Sequence, residues 1–502
     1  MKKKLFLLLL LLFALFAVVY VIPQILDGTL PLTTGSRLPE TEISGPEMET
    51  MEEKTFPYET VWTESEPETE ETMPPETDDT PGEPVEREKI VTDIIFVSDI
   101  HYMSPDLTDY GTAFNELIDN GDGKVVAYMP QIWQAFAEEV IASRPDALVL
   151  SGDLTINGER VNHEELAKKL EEIEAAGVSV LVIPGNHDIN NPYATAYFGE
   201  SQSFIEGVDP VGFWEIYRKY GYDEAAGYAP DSMSYLYILN DTTWLMMLDT
   251  CIYEPDNEVD GEIPNGTMEW MEEWLKSAYA EGITVIPVGH HNLQELSRVY
   301  VEECVLRNHQ EVMEIFERYL TPVYFSGHLH VQRIMKHISE PGITDEIYGI
   351  WEIVSNSLII PPCQYGNLTL NANGSLSYHT RNVDISSWAA KHGETNLDLL
   401  DFPAFSDTYI RSVIGRQAYK TIEDIPDELR EVMTDFYVDL YQDYYAGRHI
   451  NYSERRKEFG YQLWTRFMDP SVQYRQVEGM LRDGMAGNNH VEIPNPIFLE
   501  RE

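Results

Sequence analysis

The sequence predicts a layered α/β fold followed by a helical C-terminal extension. Three observations carry this expectation. Apolar runs of strand length alternate with amphipathic helical stretches from residue 90 onward. Five of those runs end in Asp, His or Asn, usually beside a small residue. Past Ser387 the pattern becomes helical and aromatic.

The 502-residue chain divides by composition into four stretches: 1–26, 27–88, 89–386 and 387–502. The first opens Met1-Lys2-Lys3-Lys4 and runs from Leu5 to Ile22 without a charge, the pattern of an export signal or signal anchor. No clear small-x-small cleavage site precedes Asp27. An uncleaved anchor is therefore favoured, with the body outside the cytoplasm; cleavage would make the protein secreted. Residues 27–88 are Glu-, Thr-, Pro- and Ser-rich, with 19 acidic and 3 basic side chains. Such a stretch buries too little apolar surface to offset the entropy of folding, and reads as a disordered acidic stalk.

The body begins with a strand over Ile90–Val97, then a long polar loop with Gly111, Gly121 and Gly123. A helix is expected over Tyr128–Ser143, with Ile132, Ala135, Phe136 and Val140 on one face. The strand Leu148–Leu150, the helix His163–Ala176 and the strand Val178–Ile183 complete a β-α-β-α-β order. A polar and aromatic insertion runs to about Asp231. A hairpin, Tyr235–Leu239 with Thr243–Leu248, turns at Asn240-Asp241. Helix Thr267–Ala280 leads into strand Thr284–Val288, and helix Gln310–Leu320 into strand Val323–Phe325. Ile350–Val354, Asn367–Leu370 and Ser375–His379 read as closing strands. Helices follow over Tyr409–Tyr419, Asp427–Tyr445 and Ser453–Met468.

The net charge of −52 and the lack of a basic patch argue against nucleic acid as a partner. The same acidity disfavours phosphate substrates unless bound cations invert the local field. Cys251, Cys304 and Cys363 lack metal-type spacing and, being odd in number, cannot all pair; the count allows one disulfide, and three buried thiols are expected.

The strand ends carry the chemistry. The first is followed by Ser98-Asp99-Ile100-His101, the second by Ser151-Gly152-Asp153, the third by Gly185-Asn186-His187-Asp188. Strand Thr284–Val288 is followed by Gly289-His290-His291, and Val323–Phe325 by Ser326-Gly327-His328-Leu329-His330. One such ending is ordinary turn chemistry. Five from distant parts of the chain converge only if they share a partner, and a divalent cation is the obvious one. If the chain is extended there, Asp99 with His101 and His328 with His330 point to one side. The Asp153 carboxylate can bridge two ions. His163, His309, His337 and His379 lack this context, although His163 could approach from its helix start.

This set of blocks, in this order, resembles the calcineurin-like metallophosphoesterase superfamily over roughly Val91–His379. The resemblance implies a four-layer α/β/β/α sandwich with a two-metal centre between the sheets. Asp99, His101, Asp153 and His330 would hold one metal; Asp153, Asn186, His290 and His328 the other. His187, oriented by Asp188, would face the leaving group as general acid while a metal-held hydroxide attacks phosphorus. The fourth block departs from the usual pattern, reading His290-His291-Asn292 where relatives often have His-Pro or His-His-Pro. His290 is the expected ligand and His291 the fallback. The ligand set suits two divalent or trivalent ions, Mn, Fe or Zn.

The expected function is hydrolysis of a small-molecule or envelope-derived phosphate ester, with the membrane as partner through the N-terminal segment and no protein partner inferred. A cyclic-nucleotide or nucleotide phosphodiesterase is the alternative, and a surface binding protein on the same fold is the rival outside catalysis. Substrate choice falls to the loop Tyr102–Lys124 with Asp106, Asp109 and Asp122, to Asn157-Gly158-Glu159, and to Ser355-Asn356-Ser357. Tyr437, Tyr441, Tyr444 and Tyr445 read as core packing or a lid. Asp435, Asp439 and Asp443 read as a solvated helix face.

Overall fold

A computed structural model describes residues 90–337 and 349–499. The expected signal segment 1–26 and acidic stalk 27–88 lie outside the described residues. Among the described residues no helix is long and apolar enough to cross a membrane.

Strands β1 (Thr92–Val97), β2 (Ala147–Ser151) and β3 (Ser179–Ile183) pair in parallel and start the first sheet. β2 reads Ala-Leu-Val-Leu-Ser with all five residues buried, as a strand covered on both faces must be. The insertion after β3 holds a hairpin of β4 (Thr195–Phe198) and β5 (Ser201–Phe204), and a helix over Pro210–Tyr217. Next come β6 (Gly227–Tyr228), β7 (Tyr235–Asn240), β8 (Thr243–Met247), β9 (Thr284–Val288), β10 (Val323–Ser326), β11 (Arg333–Lys336) and β12 (Trp351–Val354). These form the second sheet, ordered β11-β12-β10-β9-β8-β7-β6. The chain then returns to the first sheet with β13 (Gln364–Leu370), β14 (Leu376–Asn382) and finally β15 (His490–Ile493), giving β15-β14-β13-β1-β2-β3.

The two sheets face each other. Phe96 of β1 stacks on Phe325 of β10, ring centroids 3.7 Å apart and 2° from parallel. Both lie in the main core with Val149, Val288 and Ile353, where each fully buried ring contributes roughly 1.5–3 kcal/mol. Helices Met129–Ser143 and Arg160–Ala175 back the first sheet through Ile132, Phe136, Leu166 and Leu170. Helices Asn265–Glu281 and His309–Arg318 back the second through Met271, Leu275, Val312 and Phe316. The result is the expected α/β/β/α sandwich.

The helical region packs around Met433, Phe436, Leu440, Tyr444, Trp464 and Met480. That core includes Leu329 and Val331, on either side of His330, so the helices press on the loop after β10. Three features exceed the sequence expectation. The polar loop after β1 contains a helix, Thr112–Asp119. β11 pairs antiparallel with β12 as an edge strand. β15 lies in the stretch read as helical and pairs with β14. It is four residues long and only Ile493 is buried, so it lacks an apolar stripe to announce it. All three cysteines are free thiols; only Cys363 is fully buried.

Candidate metal centre

The strand-end residues converge where the carboxyl ends of the parallel strands of both sheets meet. Asp99, His101 and Asp153 come from the first sheet, His290, His328 and His330 from the second, and Asn186 from the turn after β3. The backbone is not extended there, contrary to the expectation for Asp99-x-His101 and His328-x-His330. Asp99, His101, Asp153, His328 and His330 all have positive φ, between 44° and 69°. Each is a left-handed non-glycine residue, strained by on the order of 1–3 kcal/mol. Side chains that alternation would have aimed alike are aimed alike by repeated left-handed turns instead. Tight packing fixes the loops. A Cβ on Gly185 would lie 2.0 Å from the Asp153 amide nitrogen, and one on Gly327 1.9 Å from Ser98 Oγ.

One group comprises Asp99, His101, Asp153 and His330, whose ligand atoms all lie within 4.8 Å of one another. Asp153 continues into a second group. Its Oδ1 is 3.4 Å from His290 Nε2. Asn186 Oδ1 is 3.1 Å from His290 Nε2 and 2.9 Å from His328 Nδ1. Tetrahedral ligands at about 2.0–2.1 Å from an ion stand roughly 3.4 Å apart, so these spacings fit cations.

The outer nitrogens of the four imidazoles make the stronger case. His101 Nδ1 lies 3.3 Å from Thr155 O, His290 Nδ1 2.9 Å from Ser151 O, His328 Nε2 2.9 Å from Glu303 O, and His330 Nδ1 2.5 Å from Asp122 Oδ2. If each outer nitrogen donates its proton to that acceptor, each inner nitrogen bears a lone pair. His101 Nε2 then faces His330 Nε2 at 3.0 Å, acceptor against acceptor. Asp153, Asn186, His290 and His328 likewise present only acceptors to one another. An acceptor-only cluster, nearly all of it buried, is stable around cations and repulsive without them.

Burial opposes ionisation of Asp153, yet His187, His290 and His101 hold its carboxyl well below the usual range. Burial and Lys124 both push His330 down, but Asp122 and Asp99 outweigh them and raise it to about 9. His330 is the one member that also holds a second proton, which a cation must displace from Nε2. His101 and His328 are pushed down, chiefly by burial, the latter to about 4.

His187 stands at the rim, with its side chain 34% exposed and Nε2 3.8 Å from Asp153 Oδ2. Its Nδ1 lies 2.5 Å from Ile156 O and 3.2 Å from Asn157 Oδ1, so these atoms orient the ring. Asp188, expected to do so, does not. Its carboxylate is buried and accepts from the amides of Leu154, Thr155 and Gly185 and from the Thr155 hydroxyl. It ties the β2 and β3 loops together and acts on His187 only through the backbone. Burial and Asp153 raise it to about 7. His291, the fallback ligand, turns away to Thr250 Oγ1 (2.8 Å) and Val259 O (2.9 Å). His163 is buried against Asp188 O and Tyr217 and does not reach the centre. Asn292, in the departing block, donates to Ser326 Oγ and Gly327 O and pins the neighbouring ligand loop.

Of the proposed specificity residues, Asp122 and Asn157 reach the site. Ser357 donates to Asp99 O behind it, while Asp109 accepts from Gly111 and Gly199 amides away from it. Lys124 was not singled out in the sequence. Its Nζ is 3.0 Å from Asp122 Oδ1, and its charge acts on His101. Its one signal was being the sole cation between Tyr102 and Lys124. The helical region holds this segment. Tyr441 donates to Asp122 O, Tyr409 to Lys124 O, and Gln417 to Asp119 O and Gly121 O. The carboxylates Asp435, Asp439 and Asp443 instead pair with Arg411, Arg448 and Arg455 on the outer face.

Residues 92–332 match the family described as calcineurin-like phosphoesterase. Residues 384–486 match the C-terminal domain of cyclic nucleotide phosphodiesterase. A probable cyclic nucleotide phosphodiesterase of Xenorhabdus bovienii (strain SS-2004) is 21% identical over 192 residues, 38% of this chain and 64% of that protein. Another, from Moraxella catarrhalis (strain BBH18), is 19% identical over 188 residues, 37% of this chain and 58% of its own. The chain thus spans less than two thirds of the length of these relatives. Among solved structures, a dimetal phosphatase from Danio rerio is similar at 13% identity and a TM-score of 0.42, over 58% of this chain and 96% of that one.

Proposed function

We propose, from the calcineurin-like phosphoesterase domain at residues 92–332, that this chain is a two-metal phosphodiesterase acting on cyclic nucleotides. The observation that carries the metal reading is the acceptor-only cluster. Asp99, His101, Asp153 and His330 would hold one ion, and Asp153, Asn186, His290 and His328 the other. Bound there, two divalent cations would supply positive charge for the phosphoryl oxygens and lower the pKa of a water.

The chain's own groups do the rest. Asp122, Thr155 O, Ser151 O and Glu303 O fix the imidazole tautomers. Lys124 adds fixed positive charge beside the cluster in a strongly acidic protein. His187, its Nδ1 held by Ile156 O, presents Nε2 at the rim, where it gives its proton to the departing ester oxygen. The match of residues 384–486 to the C-terminal domain of cyclic nucleotide phosphodiesterase supports a cyclic diester over a monoester. Lys2, Lys3, Lys4 and the charge-free run after them support export, tethered or secreted; protease added to intact cells would then digest the body, and protection would refute this.

The central test strips the full chain of metal and reloads it with Mn, Fe or Zn before assay on 3′,5′-cyclic nucleotides, an aryl monoester and an aryl diester. Metal-dependent turnover of the cyclic diester, lost in His187→Ala, is expected. Equal inactivity of wild type and variant with every metal and substrate would refute the reading.

A further inference from the structure

A cavity of about 320 Å³ lies between the segment Asn120–Asp122 and the helical region. Its walls include Tyr300, Tyr437 and Tyr441 and the side chains of Gln473 and Gln476. Tyr437 is half-buried, its ring 5.7 Å from that of Trp464. The amides of Gln473 and Gln476 take part in no side-chain hydrogen bond among the described residues. The lining has no lysine or arginine. Its one carboxylate, Asp122, is already engaged by His330 and Lys124. Such a wall offers nothing to a second phosphate, and its free amides are wasted on an acyl chain. Aromatic faces beside free amides suit a planar heterocycle, stacked on one side and hydrogen-bonded at its edge.

The cavity adjoins the metal centre. Gly121 and Asp122 line both it and the space over His101 and His187. One imidazole ring, that of His330, separates the Asp122 carboxylate from the ligand cluster. We infer that this cavity is the base subsite: a nucleobase stacks on Tyr437 and is read by Gln473 and Gln476 while its phosphate lies at the metals. The inference rests on the cyclic-nucleotide reading for where the phosphate sits. It gives the helical region a task beyond support, since Tyr437, Gln473 and Gln476 all belong to it.

The test compares Tyr437→Ala, Tyr437→Phe and Gln476→Leu with wild type in the metal-loaded full chain. Substrates are 3′,5′-cyclic AMP and bis(4-nitrophenyl) phosphate, and AMP binding is measured by calorimetry. Tyr437→Ala and Gln476→Leu should raise KM for cyclic AMP roughly tenfold with kcat little changed, and weaken AMP equally. Turnover of the aryl diester should stay within about twofold, and Tyr437→Phe, which keeps the ring, should behave as wild type. Equal losses on both substrates, or no change in KM or AMP binding, would overturn the base subsite. If Tyr437→Ala fails to fold, Gln476→Leu, at a partly exposed helix position, decides alone. If wild type cleaves the aryl diester but not cyclic AMP, the cyclic-nucleotide reading fails, and the dependence of AMP binding on Tyr437 and Gln476 still decides the subsite. If cyclic AMP is cleaved without regard to these residues, that reading stands and the subsite falls.

Discussion

Asp122→Asn offers a direct measure of how far the polar loop after β1 controls the metal centre. The Asp122 carboxylate sits 2.5 Å from His330 Nδ1, on the far side of the ring from the ligand cluster. A carboxylate in that place fixes the ring's tautomer and raises its basicity, and losing such a partner commonly costs 10–100-fold in metal affinity or activity. Here the lower end applies. Lys124 Nζ lies 3.0 and 3.1 Å from the two oxygens of the same carboxylate and already draws on its charge. The asparagine oxygen can still accept from Nδ1, so orientation survives while basicity falls. The expected loss is about tenfold in affinity for one ion, or about 1.4 kcal/mol. The assay is metal content per chain across a chelator series, with kcat/KM measured at limiting and saturating metal. Activity should recover at high metal. Unchanged retention of both ions, or a loss that excess metal does not rescue, would refute the account.

Three further outcomes follow from the geometry. Asp153→Asn, which alters the one carboxylate shared by both groups, should sharply lower the content of both ions; full retention of two ions would refute the bridging role. His187→Ala should lower kcat by about 10²–10⁴ on an alkyl ester while leaving metal content unchanged. The loss should shrink on 4-nitrophenyl esters, whose leaving group needs no proton, and an equal loss on both would count against the general acid. Glu352 on β12 is fully buried beneath the ligand loops, where it accepts from Leu293 N and Ser326 Oγ. Burial raises it from about 4.5 to about 8. The unfolded chain therefore loses this proton first, and stability should fall as pH rises from about 4.5 to 8. Glu352→Gln should flatten that slope by up to a few kcal/mol in denaturant melts across this range; an unaltered slope would refute it.

Most of the centre was legible because its chemistry is local in sequence. Each ligand follows an apolar strand by two to five residues, and small residues mark the turns. His290, nearer the strand end, faces Asn186 and Asp153, while His291 faces Thr250 and Val259. What was not legible depends on partners distant in the chain. Asp122 became a partner of His330, 208 residues away, only through folding. Asp188 follows His187 directly, yet its acceptors are drawn to three backbone amides that sequence adjacency does not reveal. Lys124 is one cation among many acidic residues. β15 has too short and too polar a pattern to separate from a loop. The extended geometry expected at the paired ligands failed because side-chain alternation assumes pairing, and the chain has already left the sheet there.

The left-handed ligands also govern how this protein can be interrogated. At Asp99 and Asp153 the backbone has φ of 51° and 49°, a region that Asp and Asn tolerate better than most residues. Asparagine there removes charge and leaves the loop at ease, so its effect reports on the metal. Alanine removes the ligand and leaves a side chain less suited to the turn, so its effect mixes coordination with conformational cost. Glycine relaxes the turn and could stabilise the chain while abolishing binding. Comparing the three substitutions at one position therefore separates what the metal contributes from what the loop withholds.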